Sequence, residues 1–216
     1  MNQQTDGETN LRTESYHEKV LGRIISLSDG IFAFAITLLI LNVVVAEGVS
    51  NQGLANALAG LWPKYLAFLI SFIVIGAYWV THVRYLRFMR RCDSGLIWIN
   101  LLFLLFIVMI PFSTSVLSSF YGPLPVIVYA ANIACAGYMS TILWAYATYK
   151  HRLVDANLGS GQVRRGIILH LVAPVVFTLS IGIALIDSNA AQYSWISIIV
   201  FSIIAKKAFK LPDDEI

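Results

Sequence analysis

The sequence predicts an all-α membrane protein with six transmembrane helices per subunit and both termini in the cytoplasm. Three observations carry this. Of 216 residues, 58% are hydrophobic and only 12% charged, a charged share about half that of a soluble domain. A water-soluble chain of this size cannot hide so much apolar surface, so its solvent is lipid. The apolar residues fall into six stretches with polar connections between them. Once those stretches are threaded back and forth, 14 of the 15 lysines and arginines fall on one side.

The polar segment 1–19 comes first, read as a mostly flexible cytoplasmic tail that turns helical near Tyr16 and lacks the apolar core of a cleavable signal. The membrane domain is assigned to residues 20–210, with apolar stretches at 24–45, 61–83, 96–117, 126–149, 167–186 and 193–209. About 20 residues cross the hydrocarbon as a helix, and the first five stretches reach that length. The sixth is shorter, and ends where Lys206 and Lys207 can extend their stems to the interface. The stretches are continuous rather than alternating, which selects helices over barrel strands. Pro63 suits the first turn of the second helix, and Pro123 and Pro125 that of the fourth. Pro111 and Pro174 fall inside spans and predict kinks. Residues 211–216 form a short C-terminal tail, and no internal duplication is visible.

Orientation follows from the basic residues. Arg84, Arg87, Arg90 and Arg91 follow the second helix, and Lys150, Arg152, Arg164 and Arg165 lie between the fourth and fifth. Arg12, Lys19 and Arg23 precede the first, and Lys206, Lys207 and Lys210 close the last; only Lys64 lies opposite. Basic residues mark the cytoplasmic face. Two termini on one face require an even number of crossings, which supports the short sixth helix. The arginine runs read first as topology determinants and second as contacts for anionic lipid, not as a nucleic-acid surface.

Catalytic chemistry has little to stand on. No His-Glu zinc pair, nucleophile elbow or phosphate-binding glycine loop occurs, so neither an enzyme nor a bound cofactor or metal is expected. Cys92 and Cys135 are too few for a disulfide framework. His17 and His151 sit near polar ends, and His170, in the fifth helix, has no carboxylate at helical spacing.

The first helix is the exception. Asp29 is the one acidic residue inside a predicted span, where a carboxylate costs about 2.5–3.5 kcal/mol at the bilayer centre unless it finds partners. Arg23 and Ser28 lie near it, while His82, at the end of the second helix, and Trp98 and Asn100, opening the third, fall at the same depth. One reading makes Asp29 and His82 a proton-relay or ion-binding pair. The other makes the cluster hydrogen-bonded glue, with Arg23 neutralising Asp29. At about 100° per residue, Phe34, Thr37, Leu38 and Leu41 share a stripe, and Asp29 lies about 140° from Phe34. From pattern alone, such a stripe reads as ordinary packing or lipid contact.

These residues resemble the transmembrane protein 175 family of potassium channels. The family signature Arg-x-x-x-Phe-Ser-Asp is met by Arg23, Leu27, Ser28 and Asp29, and continues through GIFAFAITLLILNV. The resemblance extends to YWVTHVRYLR around His82 and to LIWINLLFLLFIVMIPFSTSVL around Trp98 and Asn100. Leu27 replaces the signature Phe, and Phe34 stands where relatives usually carry Ile or Leu. The resemblance implies a homotetramer whose first helices line a central pore, embedded in membrane lipid and passing potassium ions. Phe34 would form the main constriction, Leu38 and Leu41 further apolar layers, and Thr37 a hydroxyl ring facing the ion. Arg23, Ser28, Asp29, His82, Trp98 and Asn100 would form the cytoplasmic-side network that holds the pore helix. A prokaryotic plasma membrane is the expected location. The rival expectation is a proton-coupled or proton-permeable transporter that uses Asp29 and His82.

Overall fold

The computed structural model describes residues 2–45, 50–51, 53–155 and 158–208. The predicted tail 211–216, Lys210 and the end of the sixth stretch at Phe209 lie outside them. The described chain is helical almost throughout. Helix α1 (Asn2–Leu38) ends in a tight 3-10 turn, Leu39–Asn42. Then follow α2 (Leu54–Gly60), α3 (Trp62–Phe88), α4 (Ser94–Val108), α5 (Ile110–Ser119) and α6 (Pro123–Thr148). The chain closes with α7 (Ser160–Ala184), α8 (Ser188–Ser194) and α9 (Ser197–Ala208).

Among the described residues, five segments are long and apolar enough to cross a membrane: His17–Asn42, Trp62–Phe88, Ser94–Ser119, Pro123–His151 and Ser160–Ala184. The protein is a multi-pass membrane protein. Two differences from the sequence-based expectation stand out. The polar N-terminal segment continues α1 back to Asn2 instead of forming a flexible tail, because an established helix propagates more readily than a new one nucleates. The sixth stretch divides at Trp195 and Ile196 into α8 and α9, and 12 residues of α9 are described.

The predicted irregularity at Pro111 is a break between α4 and α5 at Met109. Proline has no N–H to offer the carbonyl one turn earlier, and its ring crowds that carbonyl. Pro174 stays inside α7 and its ring faces α6: a Cβ on Gly137 would lie 2.9 Å from it. Gly137 thus permits the close approach of the two helices.

Helix α6 is the central post of the bundle and packs against α4, α5 and α7. Its buried Tyr129 and Ile133 meet Phe32 of α1, Leu39 of the 3-10 turn after it, Ile75 of α3 and Phe103 and Ile107 of α4 in one core. Trp195, between α8 and α9, lays its ring 5.2 Å from Tyr129 and 5.3 Å from Phe177, and its indole N–H donates to Ser180 at 3.0 Å. That contact fastens the C-terminal helices to α7.

The basic end of the bundle is held by a clasp between two connections. Met89 and Val154 form an isolated antiparallel bridge. Arg90 N–H donates to the Leu153 carbonyl at 2.8 Å, and the Arg90 guanidinium pairs with Asp155 at 3.3 Å. Asp93 caps α4 by accepting from the Leu96 N–H at 2.8 Å, and also accepts from Tyr146 Oη and Arg152. Partial burial pushes the Asp93 carboxyl up, but the three donors together hold it below the ordinary carboxylate value. Next to it, burial, then the Asp93 charge, push the Cys92 thiol up.

Candidate functional site

The two faces of α1 have different environments. Ile24, Ser28, Phe32, Ala35 and Leu39 are buried against the bundle. Phe34 is 68% exposed and Leu41 65%, Thr37 is exposed and Leu38 half-buried. The stripe read from the sequence is therefore the outward face of the subunit. Leu27 and Gly30 extend it, and with Phe34, Leu38 and Val108 of α4 they border a shallow open groove of about 390 Å³. A Cβ on Gly30 would meet nothing within 4 Å. The Thr37 hydroxyl donates to the Phe34 carbonyl at 2.9 Å, so its oxygen turns lone pairs rather than a hydrogen to the surface.

A polar layer anchors the buried face. Ser28 Oγ donates to the Ile24 carbonyl at 2.8 Å and accepts from Asn100 Nδ2 at 3.2 Å, which joins α1 to α4. Asp29, one residue on, turns to α3 and accepts from the Trp79 indole N–H at 2.8 Å. His82 is buried with its ring 5.7 Å from Phe32 and 5.2 Å from Phe103. Among the described residues, neither His82 ring nitrogen nor Asn100 Oδ1 has a hydrogen-bond partner.

Within the subunit the expected cluster is thus only partly assembled. Ser28 and Asn100 meet, and His82 packs beside them through Phe32 and Phe103. Arg23 and Trp98 do not join: both are exposed, Trp98 to 68%. Helical geometry explains both cases. Six residues from Asp29, Arg23 sits about 120° around the helix and ~9 Å along it. Trp98 is two residues from Asn100, so about 200° separates them, and burying one exposes the other.

Trp79 is the partner that sequence reasoning missed. Its signal was present, since Trp79 precedes His82 by three residues and shares its face of α3. A second polar layer was also missed. Thr114 donates to Ser71 at 2.8 Å, Ser71 and Tyr129 share a hydrogen at 3.1 Å, and Asn132 donates to Ser113 at 3.2 Å. Asn42 Nδ2 reaches the Pro111 carbonyl at 3.2 Å, which ties the end of α1 to the α4–α5 break. His170 lies edge-on to Tyr85 at 4.8 Å.

Residues 23–111 match the family described as the endosomal/lysosomal potassium channel TMEM175. That range runs from the signature arginine on α1 to the α4–α5 break. A potassium channel of Streptomyces collinus is 31% identical over 172 residues, 77% of this chain and 84% of that one. A potassium channel of Chamaesiphon minutus is 33% identical over 184 residues, 79% of this chain and 91% of that one. The chain belongs to the TMEM175 family. It is a family of channels and not of enzymes. The architecture agrees: the crystal structure of a lysosomal potassium-selective channel TMEM175 homolog from Chamaesiphon minutus superposes with a TM-score of 0.74 at 28% identity. The match covers 87% of this chain and 98% of that one.

Proposed function

We propose that the chain is one subunit of a homotetrameric potassium channel in a bacterial plasma membrane, with α1 of each copy lining a shared axial pathway. The observation that carries this reading is the exposed α1 stripe of Phe34, Thr37, Leu38 and Leu41, on a helix whose other face is buried and hydrogen-bonded. The stripe is not uniformly lipid-like, since Gly30 and the Thr37 hydroxyl lie on it. Membership of a potassium-channel family supplies the ion.

Phe34 forms the narrowest apolar ring, and Leu38 and Leu41 add further layers. A narrow greasy segment cannot replace an ion's hydration shell, so it blocks by dewetting. Rotation or splay of α1 widens the ring and admits water. Thr37 contributes a ring of hydroxyl oxygens that faces the ion and biases its choice. Ser28, Asp29, His82 and Asn100 hold the helix from behind, and the outward Arg23 and Trp98 complete the network against a neighbouring copy. The basic end faces the cytoplasm, and α8 and α9 together make the sixth crossing.

The test is electrical recording from purified protein in bilayers under opposing potassium and sodium gradients. Phe34→Ala and Leu38→Ala raise conductance, and Thr37→Val shifts the reversal potential in mixed ions. Unaltered currents in all three variants, or saturable pH-driven uptake abolished by Asp29→Asn, would overturn the reading in favour of lipid-facing packing or a proton-coupled carrier.

A further inference from the structure

A second groove, of about 420 Å³, opens at the basic end between the end of α6 with the turn that follows it and the first nine residues of α7. Its composition is divided by depth. Val163, Ile167 and Ile168 form an apolar floor continuous with the surface of the α7 span, while Lys150, Ser160 and Arg164 stand at its polar rim. The rim cations are accessible. Arg90 and Arg152, from the same end of the bundle, are engaged by Asp155 and Asp93. Lys150 and Arg164 are exposed and, among the described residues, have no carboxylate within ion-pair distance. Lys150 instead rests its ammonium over the Tyr149 ring, 5.5 Å from the centroid.

The backbone keeps these groups at the rim. Lys150 and His151 both adopt positive φ, 52° and 53°, a conformation that side-chain-bearing residues rarely enter. The turn reverses the chain directly after α6, and a hydrogen bond of 2.9 Å between His151 Nε2 and the Leu158 carbonyl closes it over the start of α7. The first turn of α7 carries no acidic residue, so its positive dipole end adds to the two cations.

We infer that this groove seats an anionic phospholipid, with the phosphate between Lys150 and Arg164 and the first acyl carbons along Ile167 and Ile168. The charge at the rim calls for an anion. The apolar floor at the membrane boundary calls for that anion to carry a hydrocarbon chain. An acidic peptide would have to leave that floor to lipid.

Native mass spectrometry of the full-length assembly in detergent provides the test, with titration of dioleoyl phosphatidylglycerol, dioleoyl phosphatidylcholine and glycerol phosphate in parallel. Phosphatidylglycerol binds in preference to the other two. The K150Q/R164Q pair weakens it roughly 30-fold, on the scale of about fivefold per basic residue at an anionic surface. The pair R87Q/R91Q removes equal charge from exposed positions at the same end and stays within about twofold of the parent, since it leaves both rim cations in place. Ile168→Trp keeps every charge and lowers binding by filling the floor. Equal losses in the two charge pairs would reduce the effect to net charge. Equal binding of phosphatidylcholine or glycerol phosphate, or a neutral Ile168→Trp, would overturn the lipid seat.

Discussion

Ser28 and Asp29 are adjacent in the chain but bind different helices, because each step along α1 turns ~100°. Ser28 meets Asn100 on α4 and Asp29 meets Trp79 on α3. Hydrogen bonds between transmembrane helices average only about 0.6 kcal/mol in double-mutant cycles, with a maximum near 1.7. A Ser28→Ala/Asn100→Leu cycle, read by unfolding in detergent, is therefore expected to give a coupling within that range. A larger value would mean that Ser28 and Asn100 act together with His82 as one network. At this scale the sequence told which residues lie at one depth, since rise per residue is regular. It did not tell which of them meet. Arg23 is the obvious electrostatic partner of Asp29, yet angular position outweighs charge and leaves the guanidinium outside. An indole N–H carries no charge, so its pairing with the carboxylate leaves no electrostatic signal in the sequence.

Asp93 joins three elements through one carboxylate: the start of α4, Tyr146 of α6 and Arg152 of the following turn. Loss of an aspartate N-cap costs about 0.5–2 kcal/mol, so Asp93→Ala lowers the melting temperature of the purified protein. The pH dependence has a definite sign. The folded carboxyl sits below its ordinary value, so its stabilisation is complete above the unfolded value and disappears as pH falls through the folded one. The group contributes a constant amount above about pH 5, and the acid limb of the stability profile is shallower in Asp93→Ala. A limb of unchanged slope would show that Asp93 is not the titrating group. Among elements, the five long spans were legible from composition, since nothing else accommodates such runs of apolar residues. The helices α2 and α8 were not, because each has only seven residues, too few to show a period. The kink expected at Pro111 was legible, but its position at Met109 reflects carbonyl crowding one turn back, which sequence position alone does not locate.

The subunit as a whole leaves a wide apolar surface on α1 and α4, with Leu27, Phe34, Leu41, Trp98 and Leu105 all about half exposed or more. If four copies close around α1, Phe34 side chains approach one another while α7 stays outside. Oxidation of a Phe34→Cys variant then yields covalent dimers on denaturing gels, because disulfides require Cα separations below about 7 Å. A Leu179→Cys control, 64% exposed on α7, yields none. The native Cys92 is buried and Cys135 half-buried, so background is low. Dimers from both positions alike would argue for random collision instead of a ring. Assembly is not legible in the residues by themselves, since an outward apolar stripe meets lipid and protein equally well; the expectation of a ring comes from the resemblance to a channel family.

Thr37 has one hydroxyl hydrogen, and it is committed to the Phe34 carbonyl. What the side chain presents outward is an electron-rich oxygen. Four such oxygens around an axis would discriminate by the sign of charge without containing any charge: chloride would find no hydrogen to accept, and a partly dehydrated alkali cation would find a substitute for lost water.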